Sequence, residues 1–215
     1  MNTRDRILKE ALLLFSEKGF DAVSVRTIAK AVGIKESSLY NHFSGKEDIF
    51  GSIISEYNAR GEVFFSKMSL TGEDLQFEVD VKTVNMYQTM SPEQFMLIAN
   101  SIFDFYFTDE INTQMRRMLT MEQYRNRDIA KMFRAISFDA ALDYQSRLFK
   151  ALMDAGSFIK TDPYILALEF FAPIFLLFYK YDNDTDGIAE ARELFSRHIA
   201  HFRQMYSNDN SLRGN

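Results

Sequence analysis

Residues that end helices are scarce in this chain: nine Gly and three Pro among 215 positions. That spacing suits long helices and leaves too few obligatory breaks for a turn-rich sandwich or barrel. The expectation is an all-α protein. Apolar residues make up 47% and charged residues 26%, ordinary globular usage that excludes disorder and collagen-like or fibrous architecture. There is no cysteine, which removes disulfide scaffolds, thiolate metal sites and cysteine nucleophiles. One large domain or two small ones is expected at this length.

Arg4, Asp5, Arg6, Lys9 and Glu10 surround the first apolar residues, so the N-terminus lacks the continuous apolar core of a secretory signal. The most apolar run, residues 170–179, is ten residues long, against the roughly 20 a helix needs to span a bilayer. A cytoplasmic protein without a membrane partner is expected. The net charge is −5, yet residues 1–50 hold eight Lys/Arg against seven Asp/Glu. An acidic whole argues against bulk nucleic-acid binding, which needs a basic field. Any such contact is expected to be local and to lie in the first fifty residues. Four of the 21 Phe and one of the 11 Met fall there, so a small polar-surfaced module precedes a larger domain rich in bulky, adaptable side chains.

Periodicity predicts a first helix over 3–18, with Ile7, Ala11, Leu14 and Phe15 on one face and Gly19 ending it. A second follows Ser24 as N-cap, places Val25, Ile28, Ala29 and Val32 at i, i+3, i+4 and i+7, and stops at Gly33. A third covers 36–43, and a fourth runs from Lys46 to about Met68. Helical patterning recurs over 74–90, 93–107, 110–124, 127–155, 163–181 and 187–206. Residues 207–215 read as a frayed tail. The domains expected are 1–60, 61–206 and that tail.

Residues 24–43 have the plan of a helix-turn-helix. Ala29 lets the third helix cross closely over the second, Gly33 supplies the turn's backbone angles, and Ile34 plugs the space beneath. Leu39 and Phe43 point inward, leaving Glu36, Ser37, Tyr40 and Asn41 outward, with Ser38 and His42 on a flank. Hydroxyls, an amide and an imidazole on one face are groups that can bond phosphates or base edges in a major groove. Lys46 opens the fourth helix, where a cation beside unpaired N–H groups suits a phosphate. A plain three-helix packing unit with a solvated polar face is the competing account.

Thr3, Ile7, Leu8, Ala11, Leu14, Phe15, Gly19, Phe20, Ser24, Ile28, Ala29, Gly33, the run Leu39-Tyr40-Asn41-His42-Phe43 and Lys46 together resemble the TetR family of bacterial transcription regulators. The resemblance is specific over about residues 1–60 and diffuse afterwards. It implies a homodimer with one helix-turn-helix per subunit and a C-terminal domain that binds a small molecule and dimerises. By position it implies base reading by Arg26, groove contacts from Glu36, Ser37, Ser38 and Asn41, and phosphate contacts from Tyr40, His42 and Lys46. Ser24, Thr27 and Lys35 join the same DNA-binding set. Lys35 stands where the family usually has a Ser N-cap, and Ser37 where Gly is frequent. The function implied is a repressor that leaves a palindromic double-stranded operator when it binds a small apolar or aromatic effector. A small-molecule sensor or sequestering protein acting through a protein partner is the alternative.

Residues 163–181 are apolar almost all round, so both sides need cover; a second subunit is the expected cover for one, through helices 163–181 and 187–206. Pro173 is expected to kink this helix. Candidate effector-lining residues are Tyr87, Phe103, Phe107, Met118, Met121, Tyr124, Tyr144 and Phe170, with Glu122 as a polar anchor. Asp182–Glu193 satisfies the EF-hand loop pattern formally, but Ala189 occupies the usual aliphatic position and no second loop exists, so a surface turn is expected. His198 and His201, three apart, make an incomplete metal site. No cofactor and no metal are expected. The absence of a His-Glu-x-x-His, a phosphate-cradling glycine loop or a Gly-x-Ser-x-Gly elbow leaves little support for an enzyme.

Overall fold

A computed structural model describes residues 1–67, 79–182 and 184–208. Among them every regular element is helical, apart from one isolated bridge between Phe158 and Ser207. The chain divides into two compact units, Met1–Phe64 with Glu110–Arg134, and Phe65–Asp109 with Ala135–Asn215.

The first unit holds α1 (Thr3–Lys18), α2 (Val25–Val32), α3 (Glu36–Tyr40), most of α4 (Lys46–Lys67), α7 (Glu110–Glu122) and α8 (Arg127–Arg134). Asn2 caps α1 through a reciprocal box with Asp5, satisfying two backbone donors at once. Gly33 ends α2 in the left-handed conformation at φ 76°, where a side chain would be strained. Ile7, Leu8, Ala11, Leu12 and Phe15 of α1 are buried, and α7 packs along this helix. Residues 110–134, grouped with the C-terminal domain in the sequence reading, therefore join the N-terminal helices.

The second unit contains α5 (Val81–Thr89), α6 (Pro92–Phe103), α9 (Ala140–Asp154), α10 (Pro163–Lys180) and α11 (Ile188–Tyr206). Single π-helical turns extend α6 through Asp104–Thr108 and lead into α9 over Ala135–Asp139. One aromatic core gathers Phe103, Phe107, Phe178 and Phe195, with Phe103 and Phe107 stacked at 4.2 Å. A second gathers Leu148, Phe149, Leu152, Leu166 and Phe202.

Four expectations change. The helix expected over 74–90 begins at Val81, capped by Asp80, and 74–78 lie outside the described residues. The third helix is shorter than 36–43, although His42 and Phe43 still donate backbone bonds to the Leu39 carbonyl. Ser207 and Asn208 are no frayed tail: the Asn208 amide donates to the Gly156 and Phe158 carbonyls at 2.9 and 3.0 Å, and its backbone N–H to Ser157 at 2.8 Å. The apolar segment at 170–179 belongs to α10, whose 18 residues are by length and composition enough to cross a membrane. Here α10 instead packs against α9 and α11, burying Leu166, Ala167, Ile174, Leu177 and Phe178, and it stays helical through Pro173.

Candidate nucleic-acid interface

Helix α3 has five residues, too few to hold themselves helical in water, so tertiary packing fixes its position. Leu39 is fully buried and Phe43 nearly so, seating the helix on the module. The opposite side is bare. Glu36, Ser37, Tyr40, Asn41 and His42 are exposed, Ser38 is half-buried, and Tyr40 keeps 53% of its surface open to solvent.

At the N-terminus of α2 the Ser24 hydroxyl accepts from the Thr27 backbone N–H at 3.1 Å and lies 2.8 Å from the Thr27 hydroxyl. Ser24 caps the helix, the Thr27 hydroxyl is engaged with Ser24, and Arg26 between them is exposed. Lys35 is exposed and makes no side-chain cap for α3. The Arg6 guanidinium donates to the Val32 carbonyl, tying α1 to the last turn of α2. Neither that tie nor the Asn2 cap was read from the sequence; a basic residue opposite a helix C-terminus is the signal that could have found the first.

Lys46 differs from expectation. Its ammonium is not free at the helix end but donates to the Phe20 carbonyl at 2.7 Å and lies 4.1 Å from the centre of the Phe20 ring. Phe20 belongs to an aromatic cluster with Phe15 and Phe50, and a carbonyl at its edge offers the cation a neutral acceptor. The Phe20 N–H in turn donates to Glu122 Oε1 at 2.8 Å. The backbone of Phe20 is therefore held on both sides, its N–H by Glu122 and its carbonyl by Lys46.

Glu122 is nearly buried, with the Arg125 guanidinium 3.7 Å away. Its contacts with the Phe20 N–H and with Arg125 both lie within the first unit. The candidate effector residues are divided between the two units. Met118, Met121, Glu122 and Tyr124 lie in the first unit, whereas Tyr87, Phe103, Phe107, Tyr144 and Phe170 lie in the second. Met118 is fully buried within α7, and Tyr124 is 84% exposed. Phe103 and Phe107 are core, their rings stacked on each other. Tyr87 and Tyr144 pair in the second unit, where burial above all pushes both phenols upward from their ordinary range.

Among the described residues no group of three or more His, Asp or Glu side chains is placed to hold a metal ion. In the segment with the EF-hand loop pattern, Asp184 accepts from the Gly187 backbone N–H at 2.9 Å, and Glu193 lies beyond the start of α11 with Arg197 at 3.7 Å. His198 faces the Phe170 carbonyl at 2.7 Å. A carbonyl can only accept, so the His198 Nε2 carries the hydrogen. Desolvation holds this imidazole below its ordinary range.

Residues 7–53 match the family of bacterial regulatory proteins called tetR. Over this module the chain is similar to the tetR family. The transcriptional regulator AcrR of Shigella flexneri is 31% identical over 127 residues, covering 57% of this chain and 59% of AcrR. The negative transcriptional regulator IcaR of the biofilm operon icaADBC in Staphylococcus epidermidis is 35% identical over 78 residues, 36% of this chain and 40% of IcaR. The chain thus spans less than two thirds of each. Over nearly its whole length the chain shares its fold with SmeT, the repressor of the multidrug efflux pump SmeDEF in Stenotrophomonas maltophilia, solved with triclosan. That comparison has a TM-score of 0.64 at 17% identity and covers 97% of this chain and 93% of SmeT. A tetR-family transcriptional regulator from Marinobacter aquaeolei gives 0.63 at 20% identity, covering 98% and 93%.

Proposed function

We propose that this protein is a DNA-binding transcription regulator, a repressor that occupies a palindromic operator as a homodimer in the cytoplasm. The observation that carries the reading is the bare polar face of α3 standing on the buried pair Leu39 and Phe43. Asn41, Ser37 and Glu36 meet base edges, Arg26 reaches a base from α2, and Tyr40 and His42 take phosphates. Lys46 joins them by leaving the Phe20 carbonyl for a phosphate, a better acceptor for an ammonium. Two such faces enter successive major grooves about 34–36 Å apart, or a multiple of that.

The second copy covers the outer face of α10, where Tyr164, Ile165, Leu168, Leu176 and Tyr179 are exposed together. An apolar face of this extent beside α11 supports a four-helix interface about a two-fold axis. The effector is a small apolar or aromatic molecule bound in the second unit, where Tyr87 and Tyr144 offer buried hydroxyls among aromatic rings. Binding favours one dimer geometry over another and so shifts the separation of the two reading helices.

Fluorescence anisotropy with duplex DNA from upstream of the protein's own coding region tests the reading. Tight binding there, abolished by scrambling the sequence and weakened by Asn41→Ala, is expected. Equal weak binding to both duplexes would favour the sensor acting through a protein partner.

A further inference from the structure

The positive charge of the first unit does not come from its N-terminal helices. Residues 1–64 hold nine Lys/Arg and nine Asp/Glu, whereas 110–134 hold six and three, giving the unit a net +3 while the rest of the chain carries −8. On α8, Arg127, Lys131 and Arg134 fall at i, i+4 and i+7 and are all exposed, opposite the buried Ile129 and Phe133. The stripe is about 10 Å long at 1.5 Å per residue. That length matches about three phosphates of one DNA strand at roughly 3.4 Å of axis each. Asp128 lies 3.9 Å from Lys131, with 93% of its side chain in solvent, so it neutralises the stripe weakly.

The stripe adjoins the end of the module that carries Lys46. The turn before α8 places Arg125 against Gly19, where an added Cβ would come within 3.0 Å of the guanidinium. The next residue, Phe20, is the one that holds Lys46 through its carbonyl. Basic side chains thus continue from the start of α4 across the Gly19–Phe20 turn to α8.

We propose that α8 is a second, sequence-independent DNA contact, in which Arg127, Lys131 and Arg134 grip backbone phosphates flanking the site read by α3. This rests on the DNA-binding reading above. A duplex fits better than a lipid surface because the stripe is ionic without a large apolar side chain among its members, and a helix that lies in a bilayer interface needs an apolar face to insert. A duplex also fits the confinement of net positive charge to the unit that bears α3, in a chain that is acidic as a whole.

The test uses the full chain and its Arg127→Gln/Lys131→Gln/Arg134→Gln variant, with anisotropy on a duplex of about four helical turns from upstream of the coding region and on its scrambled counterpart, across a salt series. The parent's log-affinity falls with log salt at roughly 0.9 per phosphate neutralised. The variant is expected to lose about 2 to 3 from that slope and to weaken on both duplexes by the same factor. Circular dichroism identical to the parent establishes that it folds. An unchanged slope, with the parent binding its upstream duplex, overturns the α8 contact and leaves the α3 reading standing. A parent that binds neither duplex overturns both. Loss confined to the upstream duplex overturns the claim of sequence independence. Loss of co-sedimentation with phosphatidylserine vesicles, beside an unchanged DNA slope, reassigns the stripe to a membrane.

Discussion

Replacing Glu122 by Ala removes the acceptor of the Phe20 N–H and the buried partner of Arg125. A hydrogen bond to a charged group contributes about 1.5–3 kcal/mol. Phe20 is partly exposed, so water can reach some of the vacated space, and the lower half of that range applies: about 2 kcal/mol. For a chain of this size each kcal/mol moves the melting midpoint by about 2–4 °C, so Glu122→Ala should melt roughly 4–8 °C below the parent. Glu122→Gln keeps an oxygen for the N–H and gives up only the pairing with a half-exposed guanidinium, which is worth about 1 kcal/mol or less. Calorimetry gives the global number. Hydrogen exchange at the Phe20 amide gives the local one, with protection expected to fall in Glu122→Ala and to persist in Glu122→Gln. If the Ala variant melts within a degree or so of the parent with the Phe20 amide still protected, or if Gln is as damaging as Ala, the peptide is held by something other than this carboxylate.

Leu39→Ala empties the fully buried position beneath α3 and should cost about 2–5 kcal/mol; operator affinity in a gel-shift assay should fall by more than an order of magnitude, and unimpaired binding would mean that α3 is seated without it. Leu176→Glu places a charge on the outer face of α10, where 65% of the leucine is exposed, and should convert a dimer to a monomer by light scattering, whereas a persistent dimer would locate the interface elsewhere. Desolvation, with the nearby His201 adding to it, keeps His198 neutral in the fold at pH values where the unfolded chain binds a proton. Stability should therefore decline as pH drops below about 6.5, and His198→Gln should flatten that part of a denaturation-midpoint profile; an identical slope in both proteins would exclude His198 as its source. Tyr87 and Tyr144 act in the opposite direction: burial keeps their phenols protonated, so stability should fall as pH rises above about 10 and Tyr87→Phe should weaken that fall, with an unaltered alkaline limb counting against the buried pair.

The reading module was legible because its signals are local. Ser24 and Gly33 mark the ends of α2, and the four-residue spacing of Leu39 and Phe43 sets which side of α3 is bare. Contacts between distant residues were not legible. No local pattern says that Glu122 bonds the backbone of Phe20, or that Lys46 has a carbonyl within reach, since both depend on where α4 and α7 come to rest. Aromatic and methionine residues in the larger region gave a list without a geometry, because the same side chains suit a packed core and a cavity wall alike; Phe103 and Met118 turned out to be core of different units. The basic stripe of α8 lay within reach of the periodicity, at 127, 131 and 134. Net charge counted only over the first fifty residues concealed it.

Because α7 returns from far downstream to lie along α1, the helix-turn-helix module is not a cassette that can be lifted out at residue 64. A chimaera joined there would strip the first helix of its cover, expose greasy surface to solvent and invite clumping. Grafts meant to join this module to a different C-terminal domain should carry residues 110–134 with it.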